Sequence, residues 1–417
     1  MKNRQEIKNI KERAASTLGR IIVLTGARQT GKTTVAKQCF PAYSYISLDD
    51  PVQRGDYLSL NARQWQELFP NAILDEVQKT PALIESVKSV YDYFAEPRYL
   101  LLGSSQFLLL EKVRESLAGR CVILEMYPLT LPEMQTSSFE ETVNQSFFVK
   151  YMQNKAELNN LLPTFSLDKR FAQKRRVFDF ALQFGGYPAL TNEILSDDER
   201  REWLRNYVIT FLERDIRDLA AFRDLEPFVK LQHYLANITA GMVNFSSIAK
   251  ETGVSVPTVQ RYVRYMELSY QVLLLPAWFA NPLKKLVKSP KVHFMDTGVL
   301  RSVLQKQGKL SGDEFESFVV AEIYKQIKNS HLPLKCYYLR TLDGREVDLI
   351  IEAEDGFTAI EVKVTENTDK SDAKNLLDLQ EILNKPLKHS FILSNDNKTK
   401  FFGENITAMH AAAFLCS

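Results

Sequence analysis

The stretch G-A-R-Q-T-G-K-T-T at residues 26–34 has the residue types and spacing of a loop that binds a triphosphate. It fits the pattern G-x-x-x-x-G-K-[ST] at every fixed position. The glycines can take backbone conformations that turn the N–H groups of the loop inward, around phosphate oxygens. The residues that we expect to surround the phosphates are Gly26, Ala27, Arg28, Gln29, Thr30, Gly31, Lys32, Thr33 and Thr34.

Two side chains of this loop have separate expected roles. Lys32 would reach the β- and γ-phosphates, and Thr33 would place its hydroxyl on Mg²⁺. The flanking sequence is suitable, because residues 20–25 are typical of a buried parallel strand and residues 32–39 of the start of a helix. A helix N-terminus favours anions, so the three elements together predict a phosphate site.

A second element follows at residues 71–76, N-A-I-L-D-E, an apolar run that ends in two carboxylates. The carboxyl ends of parallel strands meet at one edge of the sheet, beside the phosphate site. We expect Asp75 to hold Mg²⁺ through its water shell and Glu76 to polarise the attacking water. Alone, this strand end is equally typical of solvated surface. Paired with the loop upstream, it predicts a Walker B element.

Two further groups could act on the γ-phosphate. Residues 98–105, R-Y-L-L-L-G-S-S, predict another strand, after which Ser104 or Ser105 would hydrogen-bond the γ-phosphate or the lytic water. Arg120, in S-L-A-G-R, is the best candidate for a cation that neutralises charge in the transition state. The alternative for Arg120 is an ordinary surface arginine. If Arg120 acts on another copy of the chain, the protein must form an oligomer.

Length and composition set broad limits. A chain of 417 residues predicts about three domains. With 45% hydrophobic and 25% charged residues it is an ordinary globular sequence, and its net charge of +2 gives no strong signal for nucleic acid. The charged N-terminus and the lack of a long apolar run argue against a signal peptide and a membrane span. Four scattered cysteines without metal-ligand spacing favour a reducing, cytoplasmic location.

The expected organisation has four parts. Residues 1–134 predict an α/β P-loop domain with a parallel sheet, and residues 135–224 a helical lid or connector. Residues 225–300 predict a winged helix-turn-helix, and residues 301–417 a second α/β domain. In the lid, E-R-D-I-R-D at 213–218 is typical of a salt-bridged exposed helix, or else Arg214 or Arg217 contacts nucleotide or a neighbouring subunit.

The third helix of the helix-turn-helix has apolar residues at the spacing of one buried face. Its other face carries residue types that read bases or phosphates, Thr258, Gln260, Arg261 and Arg264. A basic cluster follows, made of Lys284, Lys285, Lys288 and Lys291. DNA contact is therefore one interpretation. The alternative is a module that serves only to pack domains together.

The last hundred residues hold a second constellation. Asp348 lies on a predicted strand, and Glu361 and Lys363 share a face of the next strand, with a hairpin turn near residues 355–356. Glu316 falls in the apolar face of a predicted helix, where a carboxylate needs a partner; Glu322, at the edge of that face, is the second choice. Carboxylates beside a lysine suit metal-assisted phosphodiester cleavage by Mg²⁺ or Mn²⁺. The alternative is a domain used only for packing or binding.

This arrangement resembles the PD-(D/E)xK nuclease fold, with Glu316, Asp348, Glu361 and Lys363 at its four positions. The whole chain resembles the prokaryotic ATPases that couple an AAA-type N-terminal domain to a C-terminal domain of unknown function, in which a winged helix precedes a nuclease-like fold. The segments that carry this resemblance are G-A-R-Q-T-G-K-T-T, A-I-L-D-E-V-Q, L-L-G-S-S, S-L-A-G-R, G-G-Y-P, E-R-D-I-R-D-L, K-S-P-K-V-H-F-M-D-T-G, R-E-V-D-L-I-I and E-V-K.

The resemblance implies a cytoplasmic ATP-binding protein. ATP rather than GTP rests on this resemblance, because no N-K-x-D motif appears and nothing in residues 50–54 fixes a contact to adenine. We therefore expect a Mg²⁺-dependent ATPase whose nucleotide state drives or gates its C-terminal half. The alternatives are an ATP-switched signalling or binding protein with little turnover and an ATP-regulated DNA nuclease. Expected partners are ATP and, beyond it, DNA, a second copy of the chain or another protein, without a membrane.

Overall fold

The computed structural model describes residues 1–103, 113, 115–210, 225–280, 289–341 and 343–417. Several residues of interest lie outside these ranges: Ser104, Ser105, Arg214, Arg217, Lys284, Lys285 and Lys288. Within the described ranges, no helix is both long enough and apolar enough to cross a bilayer.

The N-terminal part is built on a five-stranded parallel sheet with the order β2-β3-β4-β1-β5. Its strands are β1 (Ile21–Gly26), β2 (Ser44–Ser47), β3 (Asn71–Asp75), β4 (Arg98–Leu102) and β5 (Val122–Met126). β1 is buried along its whole length, as expected for a strand covered on both faces. Because β1 lies between β4 and β5, the loop that follows it opens in the interior of the carboxyl edge of the sheet.

Helices cover both faces of this sheet. They are α1 (Gln5–Ala14), α2 (Lys32–Cys39), α3 (Pro51–Ser59), α4 (Ala62–Leu68) and α5 (Ala82–Tyr93). Trp65 of α4 and Val87 of α5 pack into the core of one face, and Ile10 of α1 and Val35 of α2 pack into the core of the other. Local signals account for the helix starts: Asn61, for example, forms a reciprocal capping box at the start of α4.

Helices dominate the middle of the chain. They are α6 (Leu131–Met134), α7 (Phe147–Met152), α8 (Phe171–Phe184), α9 (Asp197–Thr210), α10 (Glu226–Asn237), α11 (Phe245–Thr252) and α12 (Val256–Leu268). Strands β6 (Val272–Leu275) and β7 (Lys291–Phe294) then form a two-stranded antiparallel sheet, and α13 (Thr297–Leu304) follows.

The α11–α12 connection is a tight turn. Gly253 takes a left-handed conformation with φ of 73°, and the Ser255 hydroxyl accepts a hydrogen bond from Thr258 N at the start of α12. Val259 and Val263 of α12 are buried. Three helices followed by a two-stranded sheet are the elements that a winged helix requires. That residues 225–300 form a winged helix stays a prediction.

The C-terminal part has a six-stranded mixed sheet with the order β12-β13-β11-β10-β9-β8. Its elements are α14 (Gly312–Asn329), β8 (Lys335–Arg340), β9 (Glu346–Ala353), β10 (Gly356–Val362), β11 (Leu387–Ser394), β12 (Lys400–Phe401), β13 (Ile406–His410) and α15 (Ala411–Leu415). β9 and β10 form an antiparallel hairpin in which Gly356 pairs with Ala353. The turn therefore lies at residues 354–355.

A continuous hydrophobic core joins all of these parts. It includes Ala27 of the P-loop, Tyr127 after β5, Phe178 of α8, Tyr270 after α12 and Phe391 of β11, all nearly inaccessible to solvent. We refer to this cluster as the shared core. The P-loop is thus in packing contact with the same apolar interior that supports the C-terminal sheet.

The G-G-Y-P segment forms a tight joint between these parts. Gly186 N donates to Asp296 Oδ2 at 2.7 Å, and Leu129 N donates to Gly186 O at 2.7 Å. A Cβ atom on Gly186 would lie 2.3 Å from Leu129 O, and one on Gly185 would lie 2.0 Å from Asp296 Oδ1. Only glycine lets the three segments approach this closely.

We expect Gly186→Ala to destabilise the protein, because the added methyl group forces the Leu129 backbone away. Overpacking of this kind typically costs about 1–3 kcal/mol. The measurement is the thermal unfolding midpoint, with Gly312→Ala as the matched control, since a Cβ there meets no atom within 4 Å. Equal unfolding midpoints for the two variants would contradict the close packing of Gly186 against the Leu129 backbone.

Candidate functional site

The P-loop backbone forms a cradle at the carboxyl end of β1. Gly26, Gln29 and Gly31 have φ values of 148°, 62° and 89°, which fold the loop back on itself. A Cβ on Gly26 would lie 2.1 Å from Met126 O on the neighbouring strand, so the chain must have glycine at this point. Alternation of left- and right-handed residues aims backbone N–H groups at a common centre, which is the geometry of an anion site.

Lys32 is held inside this cradle. Its Nζ donates to Gly26 O at 2.9 Å and to Ala27 O at 2.7 Å, and the residue is 8% exposed. The ammonium therefore already lies at the loop. These two acceptors are neutral carbonyl oxygens, so an anionic phosphate oxygen would be a stronger partner than either of them.

Asp75 lies at the end of β3, within reach of the P-loop helix. Thr33 Oγ1 donates to Asp75 Oδ2 at 2.7 Å, and the Tyr45 hydroxyl donates to the same oxygen at 2.9 Å. Burial, helped by the charge of Asp75, raises the pKa of Tyr45 to about 12, so this hydroxyl remains a donor at neutral pH. The structure thus brings together the two side chains that the sequence assigned to Mg²⁺.

These two oxygens are suited to a magnesium ion. Hydroxyl and carboxylate oxygens are the ligand types that Mg²⁺ takes. Thr33 Oγ1 and Asp75 Oδ2 are 2.7 Å apart, so one ion bound by the Thr33 hydroxyl would lie close enough for Asp75 to hold it through its water shell.

Glu76 follows in a left-handed conformation, with φ of 59°. Its backbone N donates to Asp75 Oδ1 at 3.0 Å, and its Oε2 accepts a hydrogen bond from Gln78 Nε2. Positive φ is uncommon for a residue other than glycine and is concentrated at functional sites. The side chain is partly exposed beside Asp75, where a water molecule can reach it.

Arg120 lies elsewhere. Its guanidinium binds Asp92 at the end of α5, with Nε–Oδ1 and Nη2–Oδ2 distances of 2.8 and 3.3 Å. Met126, the residue that pairs with Gly26, ends β5, whereas Arg120 lies in the turn just before β5 begins at Val122. Arg120 is thus at the amino edge of the sheet, opposite the P-loop. This placement does not support a role in the chain's own nucleotide site.

A polar cluster links the base of the P-loop to the C-terminal half. Glu125 pairs with Thr25 across β1 and β5. Its Oε2 accepts from the Tyr127 hydroxyl at 2.8 Å, and its Oε1 accepts from the Tyr270 hydroxyl at 3.1 Å. Tyr270 Oη also lies 3.5 Å from Thr25 Oγ1. Burial, reinforced by Glu125, keeps the pKa of both tyrosines well above the ordinary value of 10.

The C-terminal carboxylates do come together, but around an ammonium group. Lys291 Nζ lies 3.0 Å from Glu316 Oε1, 2.5 Å from Glu346 Oε1 and 3.8 Å from Asp348 Oδ1. The Lys291 side chain is only 3% exposed. Lys291 is therefore not part of an exposed basic cluster, contrary to the sequence prediction. We refer to these four residues as the Lys291 cluster.

Glu361 and Lys363 pair with each other beside this cluster. Lys363 Nζ donates to Glu361 Oε1 at 2.7 Å, and Asn375 Nδ2 donates to the same oxygen at 3.2 Å. Burial, together with the charge of Asp348, raises the pKa of both Glu316 and Glu361. In the described part of the chain, no three His, Cys, Asp or Glu side chains are arranged to hold a metal ion. Glu316 and Asp348 thus face Lys291, Glu361 faces Lys363, and a metal site at the three carboxylates stays a prediction.

Glu322 has a structural role instead. It pairs with Lys325 at 2.8 Å, and its Oε1 accepts from Leu131 N at 2.7 Å. It thus anchors α6, the segment by which the chain leaves the parallel sheet. On α12, Gln260, Arg261 and Arg264 are exposed, and Arg264 pairs with Glu267.

Sequence reasoning missed several partners of the site. Tyr45 was not singled out, although β2 borders β3 in the sheet and ends at the same edge as Asp75. Tyr270 and Glu125 meet only in three dimensions, 145 residues apart in the chain. The available signal was a carboxylate on a strand next to the P-loop strand, which needs a partner when it is covered.

Comparisons with known proteins divide the chain into three segments. Residues 18–135 match the model of an AAA domain. Residues 175–310 and 311–414 match two models described as domains of unknown function, DUF8612 and DUF4143.

Curated relatives extend over most of the chain. An uncharacterised protein of Mycobacterium tuberculosis is 27% identical over 381 residues, which is 86% of this chain and 74% of the relative. An uncharacterised protein of Methanocaldococcus jannaschii is 24% identical over 80% of this chain and 73% of its own length. An uncharacterised protein of Haemophilus influenzae is 22% identical over 87% of this chain and 86% of its own length.

Among solved structures, a Walker-type ATPase of Pyrococcus abyssi matches with a TM-score of 0.46 and 14% identity, over 73% of this chain and 98% of that one. A signal transduction ATPase of Pyrococcus horikoshii with a tetratricopeptide repeat sensor matches with a TM-score of 0.27 and 10% identity. The match covers 78% of this chain and 47% of that one. Neither likeness is close enough to carry an argument. The AAA match and the geometry of the loop are consistent with each other, since the matched residues 18–135 contain the P-loop, Thr33 and Asp75.

We expect Arg120→Ala to leave the affinity for a nonhydrolysable ATP analogue unchanged within about twofold, because Arg120 lies at the opposite edge of the sheet from the P-loop. Asp92→Ala removes the same exposed ion pair from its other side, and exposed pairs are worth about 0–1 kcal/mol. Calorimetric titration of both variants is the measurement. A tenfold loss in Arg120→Ala alone would show that Arg120 reaches a nucleotide, which requires a second copy of the chain.

Proposed function

We propose that this protein is a Mg²⁺-dependent ATPase whose nucleotide state is transmitted to its C-terminal half. The observation that carries the first part is the Thr33–Asp75 hydrogen bond of 2.7 Å, which sets a P-loop hydroxyl and a strand-end carboxylate side by side. Together with the cradle and the buried Lys32, it supports binding of a nucleoside triphosphate with its metal ion. ATP is proposed on the AAA match.

In this proposal each residue has one role. The backbone of residues 26–34 and Lys32 neutralise the phosphates, while Thr33 and Asp75 hold the metal ion. Bound Mg²⁺ would offset charge on the phosphate oxygens. Glu76 accepts the proton of the water that attacks the γ-phosphorus, and ADP and phosphate leave. Ser104 remains the proposed sensor of the γ-phosphate.

Hydrolysis can be tested at Glu76 and Lys32. We expect Glu76→Gln and Lys32→Ala to lower ATP turnover by at least about a hundredfold, the usual contribution of a general base or a charge-stabilising group. Glu76→Gln should retain ATP binding, because the change keeps the shape of the side chain and removes only its basicity. Glu67→Gln, at an exposed pair with Arg63, is the control and should match wild type.

Equal turnover in all of these variants would exclude the ATPase assignment. Tight ATP binding with negligible turnover in wild type, even with DNA present, would favour the ATP-switched binding protein instead.

The second part of the proposal rests on the shared core. Tyr270 follows α12, yet its hydroxyl binds Glu125 beside the P-loop strand. Its φ of 61° holds the backbone in a sparsely populated conformation. A shift of Thr25 or Glu125 on nucleotide binding would therefore pull on the α12–β6 segment. This supports a route by which the nucleotide state reaches the C-terminal half.

We further propose that residues 225–300 are a winged helix and residues 301–417 a nuclease-like domain. Three helices with a two-stranded sheet support the first, and a helix packed on a mixed sheet with Asp348, Glu361 and Lys363 at one end supports the second. The exposed Arg261 would be available to DNA phosphates, and Arg264 would become so by leaving its exposed pair with Glu267. DNA cleavage is not part of this proposal, because each carboxylate of the expected metal set already faces an ammonium group: Glu316 and Asp348 face Lys291, and Glu361 faces Lys363.

We expect Tyr270→Phe to uncouple the two halves while preserving the nucleotide site. A hydrogen bond to a charged group is worth about 1.5–3 kcal/mol, and this one spans the two parts of the molecule. Hydrogen–deuterium exchange should show that an ATP analogue protects the α12–β6 segment in wild type and that the variant loses most of this protection. Tyr93→Phe, at a residue 77% exposed, is the control. Protection that survives in Tyr270→Phe would contradict this route.

A further inference from the structure

A second concave site lies far along the chain from the P-loop, where the end of α8, helix α9, helix α13 and the loop after α13 enclose a cleft of about 300 Å³. Its charged lining residues are all cations: Arg201, Arg205, Arg301 and Lys306. Three glutamines and one serine supply further polar groups. Of the described residues, no Asp or Glu lines the cleft, and none of residues 26–34 does. We refer to it as the arginine cleft.

Arg301 lies on the floor of the arginine cleft. The residue is 6% exposed, and its Nη2 donates to Gly308 O at 2.8 Å, which fixes the plane of the guanidinium. Nη1 has no hydrogen-bond acceptor among the described residues. Glu314 Oε2, at 3.6 Å from Nη1, attracts the charge but is too distant for a hydrogen bond. A buried guanidinium whose donors are only partly used requires a further acceptor.

The carboxylates nearby do not balance the cations. Glu314 is shared between Arg301 and Lys306, whose Nζ lies 2.9 Å from Glu314 Oε1. Asp198 pairs with Arg201 at 2.8 Å but is 96% exposed, where water weakens the attraction. Among the described residues, the ion pairs of the four cations thus involve two carboxylates, Glu314 and Asp198, and both lie outside the lining. Burial lowers the pKa of Arg301; the charge of Glu314 opposes this shift, and the charge of Arg201 adds a smaller lowering.

We propose that the arginine cleft binds a small, multiply charged phosphate compound, separately from the nucleotide held by the P-loop. Guanidinium groups present planar forks that match phosphate oxygens, and glutamine amides add neutral donors. The cleft volume is at the small end of the range for ligand sites. Arg301, at 6% exposure, is accessible only to a compact group, which favours a free phosphate compound over the backbone of a duplex.

Such a ligand would connect parts of the chain that are distant in sequence. Arg201 and Arg205 belong to α9, whereas Arg301 and Lys306 belong to α13 and its following loop. An anion between them would replace repulsion by attraction across the cleft and hold α9 against α13. Occupancy would therefore stabilise the fold at a joint that the P-loop does not touch.

The test uses inorganic tripolyphosphate as the probe and a Lys32→Ala background, in which the P-loop site is disabled. Calorimetry should give saturable binding to this background. Adding Arg201→Gln and Arg205→Gln should weaken that binding by at least about tenfold, because two charge-assisted contacts are lost. Adding Lys8→Gln and Arg63→Gln instead removes two charges whose side chains are 77% and 81% exposed, and binding should stay within about twofold.

A further variant and a stability measurement test whether misfolding explains a loss of affinity for tripolyphosphate. Arg301→Lys keeps the charge but removes the planar fork, and should give an intermediate loss of affinity. Thermal unfolding without ligand should show a midpoint for the Arg201/Arg205 variant that is no lower than that of its background, because the loss of two cations relieves repulsion across the empty cleft. Tripolyphosphate should raise that midpoint only when the arginine cleft is intact.

Three results would overturn the proposal. They are the absence of saturable binding to the Lys32→Ala background, equal weakening by the Lys8/Arg63 control, and an unchanged affinity in the Arg201/Arg205 variant. The last measurement is the binding of a short DNA duplex to the same variants. If the Arg201/Arg205 change weakened duplex binding while tripolyphosphate failed to bind, the phosphate would belong to a nucleic acid and the small-ligand assignment would be wrong.

Discussion

The shared core is the constraint on which the rest of this structure depends. Ala27 of the P-loop, Tyr270 after α12 and Phe391 of the C-terminal sheet belong to one apolar interior. Protein interiors are packed about as densely as organic crystals, so a displacement on one side is transmitted rather than absorbed. The P-loop is therefore a boundary of the same packed body that holds the C-terminal sheet.

A core of this extent must also accommodate the polar groups that its joints bring inside. Asp296 accepts from Gly186 N, and Glu322 accepts from Leu131 N, so each carboxylate satisfies backbone donors where two segments meet. Glu133, fully buried in α6, accepts from Gln5 N and Thr130 N and lies near Arg4. The G-G-Y-P and M-D-T-G segments, which carry part of the family resemblance, thus have a structural explanation at these joints.

The sequence was most informative where the chemistry is local. The P-loop, its strand and its helix follow one another directly, so spacing alone located Lys32 and Thr33, and strand order brought Asp75 to the same edge. The hairpin that carries Asp348 and Glu361 could be anticipated for the same reason. Arg120 could not be located in this way, because its edge of the sheet depends on how β5 pairs with β1.

The sequence also did not predict which residues that are distant in the chain contact each other, because period and spacing describe one segment at a time. Lys291 belongs to a run of lysines that suggests an exposed basic patch, yet β7 pairs with β6 and turns this side chain toward α14 and β9. The need for a partner at Glu316 was visible in the sequence, because the glutamate interrupts an apolar helix face. The sequence did not show that this partner is Lys291, since 25 residues separate Glu316 from Lys291.

The Lys291 cluster also determines how the chain can be divided. A fragment that begins at residue 311, where the last domain match starts, would keep Glu316, Glu346 and Asp348 but lose the ammonium that lies among them. Leaving a buried charge without its partner costs about 3–5 kcal/mol, a large part of the stability of a small domain. Such a fragment would have to take up protons or a cation to remain folded. The last domain is thus chemically complete only with β7 attached.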